Sequence, residues 1–296
     1  TTSRPPGYPF FLSVIYLVFG HNLLAVWIIQ SCIWVLTCLV IFLIGDKLFN
    51  FSTGAVASLI AGIYPAFIHY QYYGGPAFIL TETLFTFLLT LSMFSLIIYL
   101  KNRSYSWIII AGFLFGLSAL THATIFLFPF CLIFWFYLAK DKTSNWIKYF
   151  LVFCACFLFT IAPWSVRNYL VTGKFVTITA KAGESLWGGN NLWAKGGFAL
   201  IRTFHFPDYN IREFSGLNEV DADKLKFKKG IEFLRNNPKK IPFLFLKKVL
   251  VHWSPINESK RFNYSYFIIG ALAFFSMLEL FFQNRLTDIS LFLCLF

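Results

Sequence analysis

Glu82 is the most costly side chain in the first 163 residues. It stands in Ile79-Leu80-Thr81-Glu82-Thr83-Leu84, and only two other acids, Asp46 and Asp141, occur before residue 164. Those two neighbour lysines in polar stretches. A carboxylate facing lipid is expensive, so Glu82 belongs at a bundle interior or an aqueous cavity. Thr86 and Thr90 follow at i+4 and i+8, which places all three on one helical stripe. Such a stripe can contact a substrate or an ion. The alternative is a first-turn acid that complements the helix dipole.

Three further places carry groups able to do chemistry. His122, within Thr121-His122-Ala123-Thr124, can meet a phosphate or a sugar hydroxyl, or simply close a helix end. Arg167 follows Pro163-Trp164. Its planar fork suits a phosphate, and an interfacial anchor is the alternative. Gly183–Gly197 holds five glycines, two tryptophans and the pair Asn190-Asn191. Trp faces pack on sugar C–H groups and amides bond hydroxyls, although an irregular surface loop has the same composition. His69, close to Tyr70, Tyr72 and Tyr73, reads as part of an interfacial aromatic belt. The six cysteines lie in apolar runs with neither a disulfide framework nor zinc spacing.

The elements that must position these groups are apolar. Of 296 residues, 58% are hydrophobic, 21% aromatic and 13% charged, with mean hydropathy +0.67. Disorder, collagen and coiled coil are excluded, and a soluble domain could not hide so much apolar surface. A polytopic helical membrane protein is expected. A crossing needs roughly 20 apolar residues. Spans are read at His21–Ile44, Thr53–Tyr70, Ile79–Leu100, Ile147–Trp164 and Tyr264–Phe282. The 33 residues Trp107–Ala139 would make one helix of about 50 Å, too long for a core about 30 Å thick. The run is therefore split at Thr121–Thr124. With the N-terminus outside, Lys47, Lys101, Arg103, Lys140, Lys142 and Arg285 all fall in cytoplasmic loops. The outward loops Gln71–Phe78 and Thr121–Thr124 carry no Lys or Arg. Arg4-Pro5-Pro6-Gly7-Tyr8-Pro9 is read as non-helical. Phe10–Phe19 is read as an outer-interface segment anchored by Tyr8 and Tyr16.

Charge divides the chain again. Residues 164–262 hold 17 Lys+Arg against 8 Asp+Glu, most of the net +12. Beside a membrane, a basic segment favours lipid head groups or phosphorylated substrates over nucleic acid. Lys174–Thr179 alternates and reads as a short strand. Lys224–Lys248 carries nine basic residues and one acid. Phe227, Ile231 and Leu234 line one face there, and Phe243–Trp253 follows the break at Pro238. This reads as an amphipathic basic pair on anionic lipid, or as a solvated basic face. Four regions result: an external juxtamembrane segment (1–20), a helical bundle (21–163), an external basic segment (164–262), and a final helix with its tail (263–296). The chain begins without Met or a signal peptide and stops inside an apolar run, so a piece of a longer protein is expected.

Several stretches together resemble the polyprenyl-phosphate-dependent glycosyltransferases of the GT-C fold. The similarity is strongest to the bacterial group related to protein O-mannosyltransferases and lipid A aminoarabinose transferases. The residues are Arg4–Pro9 (RPPGYP), Phe19-Gly20-His21-Asn22, Leu80–Phe85 (LTETLF), Gly112–Thr121 (GFLFGLSALT) and Pro163–Tyr169 (PWSVRNY). Thr172-Gly173-Lys174-Phe175, Gly188–Asn191 (GGNN), Asn237-Pro238 and Trp253-Ser254-Pro255 continue the order.

The resemblance implies an all-α polytopic membrane protein of GT-C type with a small external mixed α/β segment. It implies a multi-pass enzyme of the cell membrane that moves a sugar from a polyprenyl-phosphate donor to a glycan, lipid or protein hydroxyl, with inversion. It implies that the general base is an Asp ahead of Arg4, before Thr1, so no residue here takes that role. Glu82 matches an acidic position near the active site, and Arg4 and Arg167 match basic positions near the phosphate. His122 stands where the family often has Arg or Lys. Asn190 and Asn191 complete the expected substrate contacts. A divalent ion is left open, with no ligand cluster in view. Two other functions fit the residues: a transporter or flippase of lipid-linked sugars, and a non-catalytic glycolipid-binding protein. A transporter favours internal repeats and midplane breaks; no repeat is visible, and the polar residues cluster at span ends.

Overall fold

Apolar runs of these lengths become helices because a buried or lipid-covered backbone must bond to itself. The computed structural model describes residues 1–63, 81–138, 146–191, 194, 211–214, 216–252, 254 and 264–282. The helices are α1 (Gly7–Phe19), α2 (Leu23–Leu48), α3 (Phe51–Ile63), α4 (Thr81–Asn102), α5 (Tyr105–Thr121), α6 (Phe128–Leu138), α7 (Trp146–Thr172), α8 (Ala182–Gly189), α9 (Glu219–Asn236), α10 (Ile241–His252) and α11 (Tyr264–Phe282). Short 3-10 turns cover Ala123–Leu127, Ile211–Phe214 and Pro238–Lys240. The class is that of an all-α polytopic membrane protein. Helices α2, α4 and α7 are long and apolar enough to cross a membrane. His69, the 71–78 loop, Lys140, Asp141, Lys142, Lys195, Gly197, Trp253, Pro255, Arg285, Cys294 and the apolar tail lie outside the described residues, as does the second expected span beyond Ile63.

The chain forms two compact units. The bundle unit comprises Pro5–Trp164 and Ile268–Phe296. In it, α2 and α3 form a hairpin whose backbones meet at two glycines. A Cβ on Gly45 would lie 2.6 Å from the Cα of Gly54. Helices α4 and α5 form a second hairpin, tied where Ser92 Oγ donates to the Ala111 carbonyl at 2.8 Å. Gly112 and Gly116 let α5 press on α7; a Cβ on Gly116 would stand 2.5 Å from that of Thr160. Phe115, fully buried, fills the seam against Phe128, Phe153 and Phe157. The break read at Thr121–Thr124 is present: α5 ends at Thr121, and the 3-10 turn begins at Ala123.

The basic unit comprises Thr1–Arg4 and Ser165–Phe267. Helices α8 and α9 cross so closely that a Cβ on Gly183 would lie 1.8 Å from the Asp223 carbonyl oxygen. The Asp223 carboxylate accepts from the N–H groups of Gly183 and Glu184, capping α8. Glu219 accepts from the Thr2 N–H at 2.6 Å and the Thr2 hydroxyl at 3.0 Å. Those two bonds, the backbone one foremost, hold its carboxyl below the usual range. Asp221 is likewise held low, by its bond to Lys174.

Two expectations are corrected. Lys174–Thr179 is not a strand, and among the described residues there is none, so the mixed α/β segment is not present there. The carbonyls of that stretch accept from side chains instead. Ser165 Oγ donates to Thr177, while Asn168 Nδ2 donates to Val176 and Ile178. Alternation of side chains was there, but no neighbouring strand completes a ladder. Second, RPPGYP is partly helical. Pro6 is the N-cap and Gly7-Tyr8-Pro9 form the first turn, where a missing N–H costs nothing. The helix read at Ile147–Trp164 contains Pro163 and runs on to Thr172 as α7. The turns beyond the proline are held by the Ser165 and Asn168 bonds.

Candidate functional site

The start of α1 is pressed onto the end of α5. A Cβ on Gly7 would lie 2.7 Å from Thr121 Oγ1 and 2.9 Å from the Leu120 carbonyl oxygen, so only glycine permits the approach. This docking fixes Tyr8, which is buried. Gln30 Nε2, from within α2, donates to the Tyr8 hydroxyl at 3.1 Å. A polar side chain inside a spanning helix needs such a partner.

His122 follows α5 directly. Its Nδ1 shares a hydrogen bond with Thr124 Oγ1 at 2.7 Å. Its ring lies against Phe85, with centroids 5.2 Å apart. Phe85 is three residues along α4 from Glu82, which puts them on neighbouring positions of one face. Glu82 is exposed in the first turn of α4 and accepts from the Thr81 hydroxyl at 3.1 Å. The Glu82 stripe is altered further along: Thr90 Oγ1 donates to the Thr86 carbonyl, so that hydroxyl serves the helix itself.

Tyr8, Glu82 and His122 thus gather at one end of the bundle unit. The opposite end is basic. Lys101 Nζ donates to the Lys47 carbonyl at 3.0 Å, and the Tyr149 hydroxyl donates to the Arg103 carbonyl at 3.2 Å. Two of the loops that the positive-inside count put on one side are therefore joined by a bond.

In the basic unit, Arg167 donates to the Thr1 carbonyl at 3.5 Å and to Asn168 Oδ1 at 3.2 Å. Arg167 therefore grips the short segment that carries the exposed Arg4. Asn168, fully buried, orients the guanidinium through its Oδ1 while its amide nitrogen holds Val176 and Ile178. Asn190 and Asn191 lie at the end of α8. Their amide nitrogens donate to the carbonyls of Leu186, and of Trp187 and Gly188. Asn190 Oδ1 accepts from Lys248 Nζ at 2.7 Å. Burial lowers the Lys248 pKa. Among the described residues no three His, Cys, Asp or Glu gather as a metal ligand set.

Residues 3–166 match the model of a family described as dolichyl-phosphate-mannose-protein mannosyltransferase. The chain belongs to that family. It is a membrane glycosyltransferase of the GT-C type. The family match takes in Arg4, Tyr8, Glu82 and His122, and stops one residue before Arg167. Neither a curated protein nor a solved structure matches the chain.

Some residues that hold these groups in place escaped the sequence reading. Gln30 was legible as a polar residue inside a span. Phe85 and Asn168 were not, because an aromatic and an amide gain meaning only from what they touch.

Proposed function

We propose that the chain transfers a sugar from a polyprenyl-phosphate donor to a hydroxyl acceptor at the outer face of the cell membrane. The observation that carries this reading is the convergence of Tyr8, Glu82 and His122 at the non-basic end of the bundle. In the reaction the bond from sugar C1 to the phosphate oxygen breaks, and its electron pair leaves with the phosphate. The acceptor oxygen bonds to C1 from the opposite side, and its proton passes to a base. The family resemblance puts that base ahead of Arg4, which leaves Glu82 on the donor side.

The phosphate gains charge as it leaves, so cations lower the barrier. Arg4 and Arg167 take this role. Apolar grooves hold the prenyl tail at about 0.8 kcal/mol per buried CH₂. Glu82 and His122 bind sugar hydroxyls. Asn190 and Asn191 keep a lesser place, since their amide nitrogens are engaged in the fold. Mannose is the sugar the family description favours.

The test is a transfer assay on purified full-length protein with a panel of polyprenyl-phosphate sugars. Release of polyprenyl phosphate in step with glycosylated acceptor supports the reading. Movement of the intact lipid across vesicles without glycosidic bond formation contradicts it.

A further inference from the structure

Helix α10 wears its apolar residues outward. Phe243, Phe245, Leu246 and Leu250 are 64%, 68%, 56% and 61% exposed. At 100° per residue they and Val249 cover well over a third of the helix surface. The inward flank is narrow and holds Leu244, buried, with Lys248 one turn on. Lys248 turns into the unit to meet Asn190, although burial disfavours its charge. A helix in water would reverse this arrangement.

Charge says what covers the face. The 3-10 turn ahead of α10 carries Lys239 and Lys240, both exposed, and Lys247 flanks the apolar face. Lys240 and Lys247 lie over the rings of Phe233 and Phe243, at 5.9 and 5.7 Å. That is how a long cationic side chain crosses apolar surface to reach a polar layer. Among the described residues, the ion pairs of this unit use other lysines: Lys174, Lys226 and Lys229. A second copy of the chain would bring the same positive charge to the contact. An anionic membrane surface brings the opposite one. The unit also contains the end of α7, a helix of spanning length, where Val166, Tyr169, Leu170 and Val171 are exposed.

We infer that α10 is an interfacial lipid-binding helix: its apolar face enters the acyl boundary, and Lys239, Lys240 and Lys247 bind the head groups of anionic phospholipid.

The experiment uses full-length protein with its native cysteines replaced and one cysteine at Leu246→Cys, labelled with an environment-sensitive dye. Leu250→Cys is a second position should the first disturb folding. The protein is reconstituted in phosphatidylcholine vesicles containing a small share of brominated phosphatidylglycerol or of brominated phosphatidylcholine. Quenching by the anionic quencher should exceed that by the zwitterionic one roughly threefold or more. The combined Lys239→Glu, Lys240→Glu, Lys247→Glu variant should bring the two to equality while the dye stays shielded from iodide. Equal quenching in the unaltered protein overturns the anionic preference. No lipid quenching, with iodide access, overturns the membrane contact. Shielding that appears only as protein density rises assigns the face to a second copy instead.

Discussion

The Phe85 ring lies against the His122 imidazole, with centroids 5.2 Å apart. This contact joins the first turns of α4 to the residue that ends α5. It sets the His122 ring beside the face that carries Glu82, and the Nδ1 bond to Thr124 fixes the ring's rotation. Both ends of the imidazole's freedom are therefore removed before any substrate arrives, which is what a positioning group requires.

Glu82→Gln keeps the size and the Thr81 bond but removes the charge. Transfer should fall about tenfold to a hundredfold, while membrane insertion and thermal stability stay near those of the parent. Turnover of purified protein alongside a melting curve checks it; unchanged turnover removes Glu82 from the site.

Phe85→Ala should act on His122 through loss of its packing. The expected outcome is a raised KM for the donor, with a smaller change in kcat. Phe85→Tyr, which preserves the ring, should restore most of the difference. A loss of stability with no shift in KM would mark the contact as structural only.

The seam between α5 and α7 depends on Gly116. Gly116→Val drives its side chain into Thr160 and should cost about 1–3 kcal/mol, by overpacking alone. Unfolding in detergent measures it. Thr160→Ala should recover part of the loss in the double variant, because the clash is with that side chain.

Glu219 gives the basic unit an acid sensitivity. Its folded pKa is depressed by the Thr2 bonds, so its contribution is present above the unfolded value and is lost as pH falls through the folded one. Stability should be level at neutral pH and decline below about pH 4. Glu219→Gln should flatten that decline. Melting temperatures across the acid range decide it; parallel profiles for parent and variant would mean another group is responsible.

Much of this architecture was legible because lipid imposes length and polarity rules on helices. The apolar runs gave α2 and α4 to within a few residues, and the break at His122 followed from a run too long for one crossing. Glu82, singled out by its cost in lipid, is exposed in the first turn of α4. What escaped notice shares a physical cause. Lys174–Thr179 alternates like a strand, yet buried Asn168 and Ser165 satisfy its carbonyls, and no periodicity reports a side-chain partner. Tyr8 reads as an interface anchor until Gly7 is seen against Thr121, which turns its ring inward to Gln30.

The central claim is that Tyr8, Glu82 and His122 bind one lipid-linked sugar. Photolabelling of full-length protein in membranes with a polyprenyl phosphate bearing a photoreactive group next to the phosphate tests it most directly. Mapping the adducts by mass spectrometry should find them in the peptides around Tyr8, Glu82 and His122, competed away by unmodified polyprenyl-phosphate sugar. Competed adducts at the Lys47 and Lys101 end of the bundle, with none at those three residues, would contradict the account.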